Sequence, residues 1–514
     1  MILSKKLSLS GILVFVLLVF VFVVTVEAHF STTWSQTYGG EARDSAESVI
    51  QTFDGGYAIA GDTLLVKTNA SGNMEWTQTY DDYAYALVET SDGGYVIGGV
   101  TWSKVTGNSD WWLVKTNASG NVEWKKTYGG TSSETAFSLV GTSDGGYAIT
   151  GYTFSFGAGE SDFWLVKTDA SGNVEWNRTY GGAIRDIARS LVVTSDGGYA
   201  LAGSTDSFGA GQYDFWLIKT DQYGNMEWNQ TYGGAYADYA YSLVETSDGG
   251  YVIAGRTLSF GAGSNDFWLV KTDSSGKMEW SQSYGGEGDD RAESLVESFD
   301  GGFVLAGVKD GVRDQWDSHP IGGNFLLVKT DNSGNMEWNR TYGGDSVAWA
   351  KSVVQTSDGG YAIAGEESGD FWLIKTDECG CIPEWYPPYV CVNSPQNVTY
   401  TTGNVSLNLT VNEETTWMGY SLDGQDNVTI TKNTLTLTEL ADGSYNITVY
   451  ATDTDGNTAA SKTVSFTIAK ENETEPPPTT SWTTTAIATA AVATAAIGAT
   501  LLIIYAKTKK QNKN

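Results

Sequence analysis

One segment recurs along most of the chain and constrains its fold more than any other feature. Its fullest copy runs over residues 162–203, where DFWLVKTDASGNVEW is followed by NRTYGGAIRDIARSLVVTSDGGYALAG. An Asp-Gly-Gly-aromatic turn marks seven copies, spaced by 38 residues, then four times by 52, then by 58. A fixed period near fifty residues is typical of repeat architectures. The turns begin at Asp54, Asp92, Asp144, Asp196, Asp248, Asp300 and Asp358.

The sequence predicts four short strands in each repeat. In the fourth copy they are Ser190–Thr194, Tyr199–Gly203, Phe215–Thr220 and Met226–Tyr232. The segments between strands carry Gly and Asp, which favour tight turns. No stretch of the repeats shows a sustained 3.6-residue period, so an antiparallel meander without helices is expected.

The third strand is apolar on both faces, so it needs a layer of structure above and below it. A ring of face-packed four-stranded sheets supplies both layers, and such β-propellers have about four to eight blades. Seven copies therefore predict seven blades. A β-helix is the alternative, although its repeats are usually much shorter.

The run TYGGxxxDxAxSLVxTSDGGYAIAGxT…DFWLVKTDxSGN resembles the seven-bladed β-propeller repeats of bacterial and archaeal surface proteins. The resemblance covers Trp34 to Trp385. It implies an all-β fold with a propeller over residues 30–385. It implies no fixed activity, because one fold carries many functions.

Two segments compete to complete the last repeat. Lys351–Asp377 supplies its first three strands, and Trp34–Gly40 has the sequence of a fourth strand with no partners before it. Pairing of this N-terminal strand with the last repeat would close the ring and remove the open edge. Cys381–Trp385 is the alternative fourth strand, because CIPEW is similar to GNMEW.

Residues outside the repeats predict a secreted, membrane-anchored chain. Lys5 and Lys6 precede an apolar run that ends in a small-residue cleavage pattern, which predicts a signal peptide over residues 1–28; an uncleaved anchor is the alternative. At the other end, residues 482–506 contain no charge and are long enough to span a bilayer. The lysines of residues 507–514 place this tail in the cytoplasm by the positive-inside rule.

A second domain is predicted between the repeats and the membrane. Residues 386–470 alternate between strand-like runs and turns such as LDGQ, ADGS and TDGN, which favours a small immunoglobulin-like β-sandwich. Residues 471–481 are a Pro/Thr-rich linker.

Charge and modification motifs agree with an extracellular location. The net charge of −31 excludes nucleic acid as a partner, because phosphate binding needs a basic surface. Eleven asparagines lie in N-x-S/T sequons, the acceptor motif for N-glycosylation. They are Asn69, Asn117, Asn177, Asn229, Asn339, Asn397, Asn404, Asn408, Asn427, Asn446 and Asn472.

Three cysteines, Cys379, Cys381 and Cys391, lie close together in the sequence. In an oxidising compartment a disulfide between Cys391 and either Cys379 or Cys381 is expected, which leaves one thiol over. The alternative, a metal site, lacks a nearby fourth ligand.

Two sets of residues are candidates for binding. The loops between second and third strands and between repeats share one face, and their greater variability marks it as the binding face. Aromatic side chains on this face would stack on a glycan or a protein surface. They are Phe156, Phe208, Phe260 and, in the insertion over residues 309–324 of the sixth repeat, Trp316.

The second set is acidic. One acid precedes the first strand of each of five repeats, and a ring of these carboxylates near the central channel would suit calcium. The alternative is that each acid accepts hydrogen bonds from the backbone at its strand start; the aspartates before the third strands receive that structural interpretation. The proposed calcium ligands are Asp44, Glu134, Asp186, Asp238 and Asp290.

These features predict a single-pass cell-surface protein, of archaeal type, that recognises glycan or protein through its propeller. No catalytic constellation is found: the two histidines, His29 and His319, belong to no triad or zinc motif. A propeller glycan hydrolase or lyase, and a structural component of the cell envelope, are the alternative functions.

Overall fold

The computed structural model describes residues 33–40, 43–102, 107–313, 320–343, 347–382, 388, 390–411, 414–453 and 458–470. The predicted signal peptide, linker, transmembrane segment and tail lie outside these residues, as do Trp316 and Asn472. Within them, strands are the only regular secondary structure, so the described part of the chain holds no apolar helix of membrane-spanning length. The described residues divide into two compact units, one within residues 1–386 and one within residues 387–514.

The described residues of the first unit form twenty-six strands. Those up to the end of the second repeat are β1 (Trp34–Tyr38), β2 (Ser48–Gln51), β3 (Tyr57–Thr68), β4 (Met74–Glu89), β5 (Tyr95–Trp102), β6 (Ser109–Thr116) and β7 (Val122–Tyr128). The third and fourth repeats contain β8 (Glu134–Gly141), β9 (Tyr147–Thr153), β10 (Asp162–Thr168), β11 (Val174–Tyr180), β12 (Asp186–Val193), β13 (Tyr199–Thr205), β14 (Asp214–Thr220) and β15 (Met226–Tyr232). The last three repeats contain β16 (Asp238–Glu245), β17 (Tyr251–Thr257), β18 (Asp266–Thr272), β19 (Met278–Tyr284), β20 (Arg291–Glu297), β21 (Phe303–Arg313), β22 (Pro320–Thr330), β23 (Met336–Tyr342), β24 (Ala348–Gln355), β25 (Tyr361–Glu367) and β26 (Asp370–Thr376).

Each regular repeat folds as the predicted meander. In the fourth repeat the sheet order is β12-β13-β14-β15, and β15 has the predicted bounds. The first strand was predicted too short: it begins at Asp186 rather than Ser190. Arg189 forms a β-bulge, and β12 pairs with β13 on both sides of it.

The first unit consists of five four-stranded sheets and one six-stranded sheet, β2 to β7. The six-stranded sheet forms because the first repeat lacks its long loops. As a result β3 pairs with β2 through Tyr57–Ala60 and with β4 through Asp62–Thr68, and β4 continues into the second repeat.

The N-terminal strand completes the last sheet. β1 pairs antiparallel with β26, from Trp34 opposite Lys375 to Tyr38 opposite Phe371, so the sheet order is β1-β26-β25-β24. Of the two segments considered for this position, the N-terminal one therefore occupies it. The first strands of successive repeats contact one another, and β24 contacts β2, which closes a ring with these strands innermost.

Serine hydroxyls bridge neighbouring inner strands. The amide of Leu191 donates to Ser138 Oγ of the preceding repeat at 3.2 Å, and the amide of Val49 donates to Ser352 Oγ at 3.2 Å across the ring closure. The serines that accept such bonds are Ser138, Ser190, Ser242, Ser294 and Ser352.

Tyrosine hydroxyls join the outer strands in the same way. Tyr180 ends β11 and donates to the carbonyl of Gly224, in a turn of the next repeat, at 2.7 Å. All seven fourth-strand tyrosines make this bond, so the TYGG motif carries a contact to the next repeat as well as a loop. They are Tyr38, Tyr80, Tyr128, Tyr180, Tyr232, Tyr284 and Tyr342.

On the face opposite the TYGG loops, a buried lysine contacts an acid at each of the two turns of its repeat. Lys219 Nζ lies 2.8 Å from Asp196 Oδ2 and 3.0 Å from Glu227 Oε2, and its side chain is 5% exposed. Asp196 also accepts the Gly198 amide, as predicted for a turn aspartate. The Asp-Gly-Gly turn therefore has a second role as the partner of a buried cation, which a sequence reading of the turn alone does not reveal.

These turn carboxyls predict sensitivity to acid. Hydrogen bonds from the Thr90 hydroxyl, Lys115 and the Gly94 amide lower the pKa of Asp92 to about 2. An aspartate whose pKa is lowered in the folded state stabilises the fold at pH values above its ordinary pKa of 3.8. That stabilisation is lost as the pH falls towards 2. The same shift to about 2 is found at Asp54, Asp144, Asp196 and Asp248.

We expect the melting temperature to fall steeply between pH 3.8 and about 2, measured by circular dichroism at low salt. Asp92→Asn retains one acceptor oxygen but cannot titrate, so its curve should be shallower than that of the wild type. A flat wild-type profile over this interval would contradict the prediction.

The second unit contains two sheets around one hydrophobic core. One has the order β27-β29-β32; the other has the order β28-β35-β33-β30-β31, with β34 beside β33. Leu407, Ile447 and Phe466 are among the core residues that both sheets supply. The strands are β27 (Val390–Ser394), β28 (Thr399–Tyr400), β29 (Val405–Val411), β30 (Thr415–Leu422), β31 (Val428–Ile430), β32 (Thr434–Leu437), β33 (Gly443–Asp453), β34 (Thr458–Ala460) and β35 (Val464–Ile468).

Candidate functional site

A belt of seven side chains, which we call the channel belt, lies on the innermost strands. Six of them occupy the β-bulge of their strand, between an alanine and a serine or alanine; the seventh, Glu47, occupies the same sequence position just before β2. The flanking residues are nearly constant, whereas this position differs in chemistry around the ring. The channel belt is Glu47, Tyr85, Phe137, Arg189, Tyr241, Glu293 and Lys351.

Members of the channel belt contact each other from repeat to repeat. The rings of Tyr85 and Phe137 lie 5.6 Å apart, and the Arg189 guanidinium carbon lies 3.9 Å from the Phe137 ring centre and 5.7 Å from that of Tyr241. Across the ring closure, Lys351 Nζ lies 3.8 Å from Glu47 Oε2. One side of the belt is therefore aromatic and cationic, and the other is an acid–lysine group.

Burial perturbs the acid of this group. It raises the pKa of Glu47, although the charge of Lys351 opposes the rise, and the charge of Glu293 adds to it. Burial also raises the pKa of the Tyr85 hydroxyl to about 12. Such a belt can hold a ligand by stacking and by charge–charge contact.

A cleft of about 480 Å³ opens between the fifth and sixth repeats. It lies on the face formed by the loops between repeats and between second and third strands, which we call the loop face. It is bounded by the loop from β17 to β18, by the loop from β19 to β20, and by β21. Its lining combines apolar, amide and carboxylate groups. The lining residues are Leu258, Ser264, Asn265, Glu287, Gly288, Asp289 and Gly311.

Asn265 is the most distinctive residue of this cleft. It is 2% exposed, its Nδ2 donates to Asp289 Oδ1 at 2.7 Å, and its Oδ1 has no hydrogen-bond partner. Asp289 is further oriented by Arg291, 3.6 Å away. The carboxamide oxygen is thus a buried acceptor without a hydrogen-bond partner in the cleft wall, which is a costly arrangement.

The predicted loop phenylalanines lie against their own repeats. Phe156, Phe208 and Phe260 are each just over 40% exposed, and their ring centres lie 5.0–5.3 Å from a third-strand tryptophan. Each ring is thus partly packed and partly exposed. Because the arrangement is the same in three repeats, it supplies general apolar surface, whereas Leu258 in the same loop as Phe260 lines the cleft.

The structure does not gather the five predicted calcium ligands into one site. Each is buried and accepts hydrogen bonds from its own loops: Asp186 accepts the Gly182 amide at 2.8 Å, the Ser207 hydroxyl at 2.9 Å and the Thr205 hydroxyl. Among the residues described, no three His, Cys, Asp or Glu side chains are grouped as a metal site.

Each of these acids instead faces an aspartate that begins a third strand. A β-carbon on Gly181 would collide with Asp162 Oδ1 and stand 2.8 Å from Asp186 Oδ2, so both oxygens lie against one glycine backbone. This explains the first glycine of TYGG. The carboxylate pairs are Asp110/Glu134, Asp162/Asp186, Asp214/Asp238, Asp266/Asp290 and Asp370/Asp44.

Burial shapes the charge of these pairs. It raises the pKa of Asp214 to about 6, and the charge of Asp238 adds to the rise. The pKa of Asp266 is likewise about 6, raised by burial and then by Asp290. The partnership between a third-strand and a first-strand acid was missed because the two residues are 24 positions apart in four of the pairs and still farther apart in Asp370/Asp44, and no local pattern links them.

Of the cysteines, Cys379 and Cys391 are disulfide-bonded, and Cys381 is a buried free thiol. Burial raises the pKa of that thiol well above its ordinary value, so it is unreactive. None of the ten described sequon asparagines is buried, and nine are exposed; Asn69 is half-buried.

The sheets, their sequential order and the closed ring of inner strands define a β-propeller, and the predicted propeller fold is confirmed. No protein-family model matches the chain. It is 25% identical over 244 residues to the regulatory protein FlaEY of Caulobacter vibrioides, covering 43% of this chain and 25% of that protein. It is 45% identical over 89 residues to halomucin of Haloquadratum walsbyi, covering 16% of this chain and 1% of that protein.

The chain thus spans about a quarter of the first relative's length and about a hundredth of the second's. Among solved structures, the Pan2 WD40 domain of Neurospora crassa matches 67% of this chain and 96% of that domain, at 11% identity and a TM-score of 0.45. A putative gluconolactonase matches 67% of this chain and 92% of that protein, at 9% identity and a TM-score of 0.36. The assignment of the fold rests on the sheets themselves.

Proposed function

We propose that this chain is a cell-surface binding protein whose propeller recognises a glycan in the cleft between the fifth and sixth repeats. The observation that carries the proposal is the unpartnered, buried carboxamide oxygen of Asn265, held by Asp289 at the cleft wall. Sugar hydroxyls both donate and accept hydrogen bonds, and their ring faces pack on apolar side chains such as Leu258. The hydroxyls and the ring face of a sugar therefore match the polar and apolar groups that line the cleft.

The propeller has seven blades in this proposal, because the six-stranded sheet contains the strands of two repeats. The second unit is proposed to be an immunoglobulin-like stalk, supported by its two sheets around one core. From the sequence we also propose secretion directed by residues 1–28, anchoring by residues 482–506 and an archaeal origin. A protein is the alternative ligand for the same face.

The glycan proposal is tested by applying the purified full-length chain to a glycan array, together with Asn265→Ala. Loss of a hydrogen bond donated by the ligand to a buried acceptor should weaken binding about tenfold. Ser161→Ala, at the equivalent position of the third repeat, is the control and should bind as the wild type does. A blank array, or equal binding by wild type and Asn265→Ala, would overturn the proposal.

One observation favours a second candidate, a glycan-cleaving enzyme. Glu287 and Asp289 place two carboxylates in the same cleft, and glycosidases use such pairs as acid and as base or nucleophile. Incubating any array hit with the protein and analysing the released sugars distinguishes the two functions. Cleavage that disappears in Glu287→Gln would assign the enzyme; intact glycan would assign a binding protein.

A further inference from the structure

The carboxylate pairs between blades lack a visible source of positive charge. At the junction of the third and fourth repeats, Asp162 is 1% exposed and Asp186 is fully buried. The Oδ2 of Asp162 accepts the amides of Ala158 and Gly159, but its Oδ1, which points towards Asp186, has no partner. Asp214 Oδ1 at the next junction is in the same state.

No lysine or arginine among the described residues forms an ion pair with either of these two pairs. Two buried carboxylates so close together cannot both remain ionised without a counter-charge. The counter-charge must therefore come from a proton or from a bound cation.

The two remaining junctions show how the chain avoids this problem elsewhere. Between the first and second repeats, the buried Asp82 forms an ion pair with Lys125. Between the sixth and seventh repeats both positions are neutral, since Asn324 and Ala348 replace the acids. Acid pairs without an ion-pair partner among the described residues thus occur at five junctions, whereas one of the other two junctions matches Asp82 with a lysine and the other carries neutral residues.

We propose that these inter-blade carboxylate pairs are Ca²⁺ sites, each binding one ion between a third strand and the first strand of the next repeat. Carboxylate oxygens are hard ligands, and Ca²⁺ accepts varied coordination geometry, whereas Mg²⁺ demands near-ideal octahedral sites. The ion would join successive blades at the loop face, on the opposite side from the buried lysines such as Lys219. This inference is independent of the proposed glycan cleft.

Equilibrium dialysis of the full-length chain against Ca²⁺ at neutral pH tests the proposal. About five ions per chain are expected, one for each pair, with weaker retention of Mg²⁺. Asp214→Asn should lower the number by about one. Glu160→Gln, which removes an exposed acid of the same face that is paired with Arg185, should leave it unchanged.

A gain of binding gives a second test that does not depend on a weakened protein. Asn324→Asp combined with Ala348→Asp installs a pair at the sixth junction and should add about one ion. Ca²⁺ should also raise the melting temperature of the wild type at neutral pH. Absence of bound Ca²⁺, with a melting temperature that the ion does not change, would overturn the proposal and assign the pairs a shared proton.

Discussion

Two prolines in the N-terminal strand, Gln36→Pro with Thr37→Pro, are expected to open the propeller and destabilise it by about 3 kcal/mol or more. Alternate residues of an edge strand donate hydrogen bonds to its neighbour, so one of two adjacent prolines must remove a bond to β26. Both side chains are exposed, so the substitution acts through the backbone.

The effect should be large because β1 joins both sides of the ring closure. Trp34 packs edge-on against Tyr57 of the first repeat at 5.5 Å, and Tyr38 donates to the Gly72 carbonyl at 2.6 Å. On the other side, Trp372 Nε1 of the last repeat donates to Ser35 Oγ at 2.8 Å. Loss of β1 therefore exposes core surface in two repeats together.

Thermal melting and limited proteolysis measure this effect. The control is Gln36→Thr with Thr37→Val, which keeps strand-forming residues and should melt as the wild type does. Equal melting temperatures for the proline variant and this control would mean that β1 is not required for closure.

Replacing Trp216 with alanine is expected to lower the free energy of unfolding by about 3–5 kcal/mol, the range for a large aromatic side chain in a core. Trp216 is 2% exposed, and its ring lies 4.8 Å from Phe163 of the preceding repeat. Its Nε1 donates to Asn229 Oδ1 at 3.1 Å. The substitution thus leaves a cavity between two blades, and the side-chain oxygen of Asn229 loses its hydrogen-bond donor.

Denaturant unfolding measures the loss, with Trp102→Ala as the matched control. Trp102 is 57% exposed, so its removal should change stability by no more than about 0.5 kcal/mol. Trp216→Leu should fall between the two, because Leu326 occupies the same position in the sixth repeat. An effect of Trp216→Ala no larger than that of Trp102→Ala would contradict the packing described.

The strands of the propeller could be predicted from sequence because their signals are local. Alternating apolar residues and glycine turns gave β15 its bounds, and the repeat period gave the order of the strands. The start of β12 could not be predicted, since it depends on a bulge that only pairing with β13 reveals. The closing strand was one of two candidates, because both had suitable residues and only tertiary packing distinguishes them.

Most of the candidate site could not be predicted. The cleft combines Asn265, Asp289 and Gly311, which come from three loops of two repeats. The channel belt did leave a signal in the sequence, namely one variable position between constant neighbours, but a search for residue types that recur at the same place in each repeat passes over it. The carboxylate pairs were half found, because only one acid of each pair was assigned to a metal.

The pairing of β1 with β26 also decides how the ring responds to tension. Trp34 lies opposite Lys375, so the N-terminal end of β1 and the C-terminal end of β26 are at the same end of the pair. A force that pulls these two ends apart separates the strands one residue pair at a time, starting from Trp34. The hydrogen bonds are then loaded singly rather than in parallel, which makes this seam the mechanical weak point of the ring.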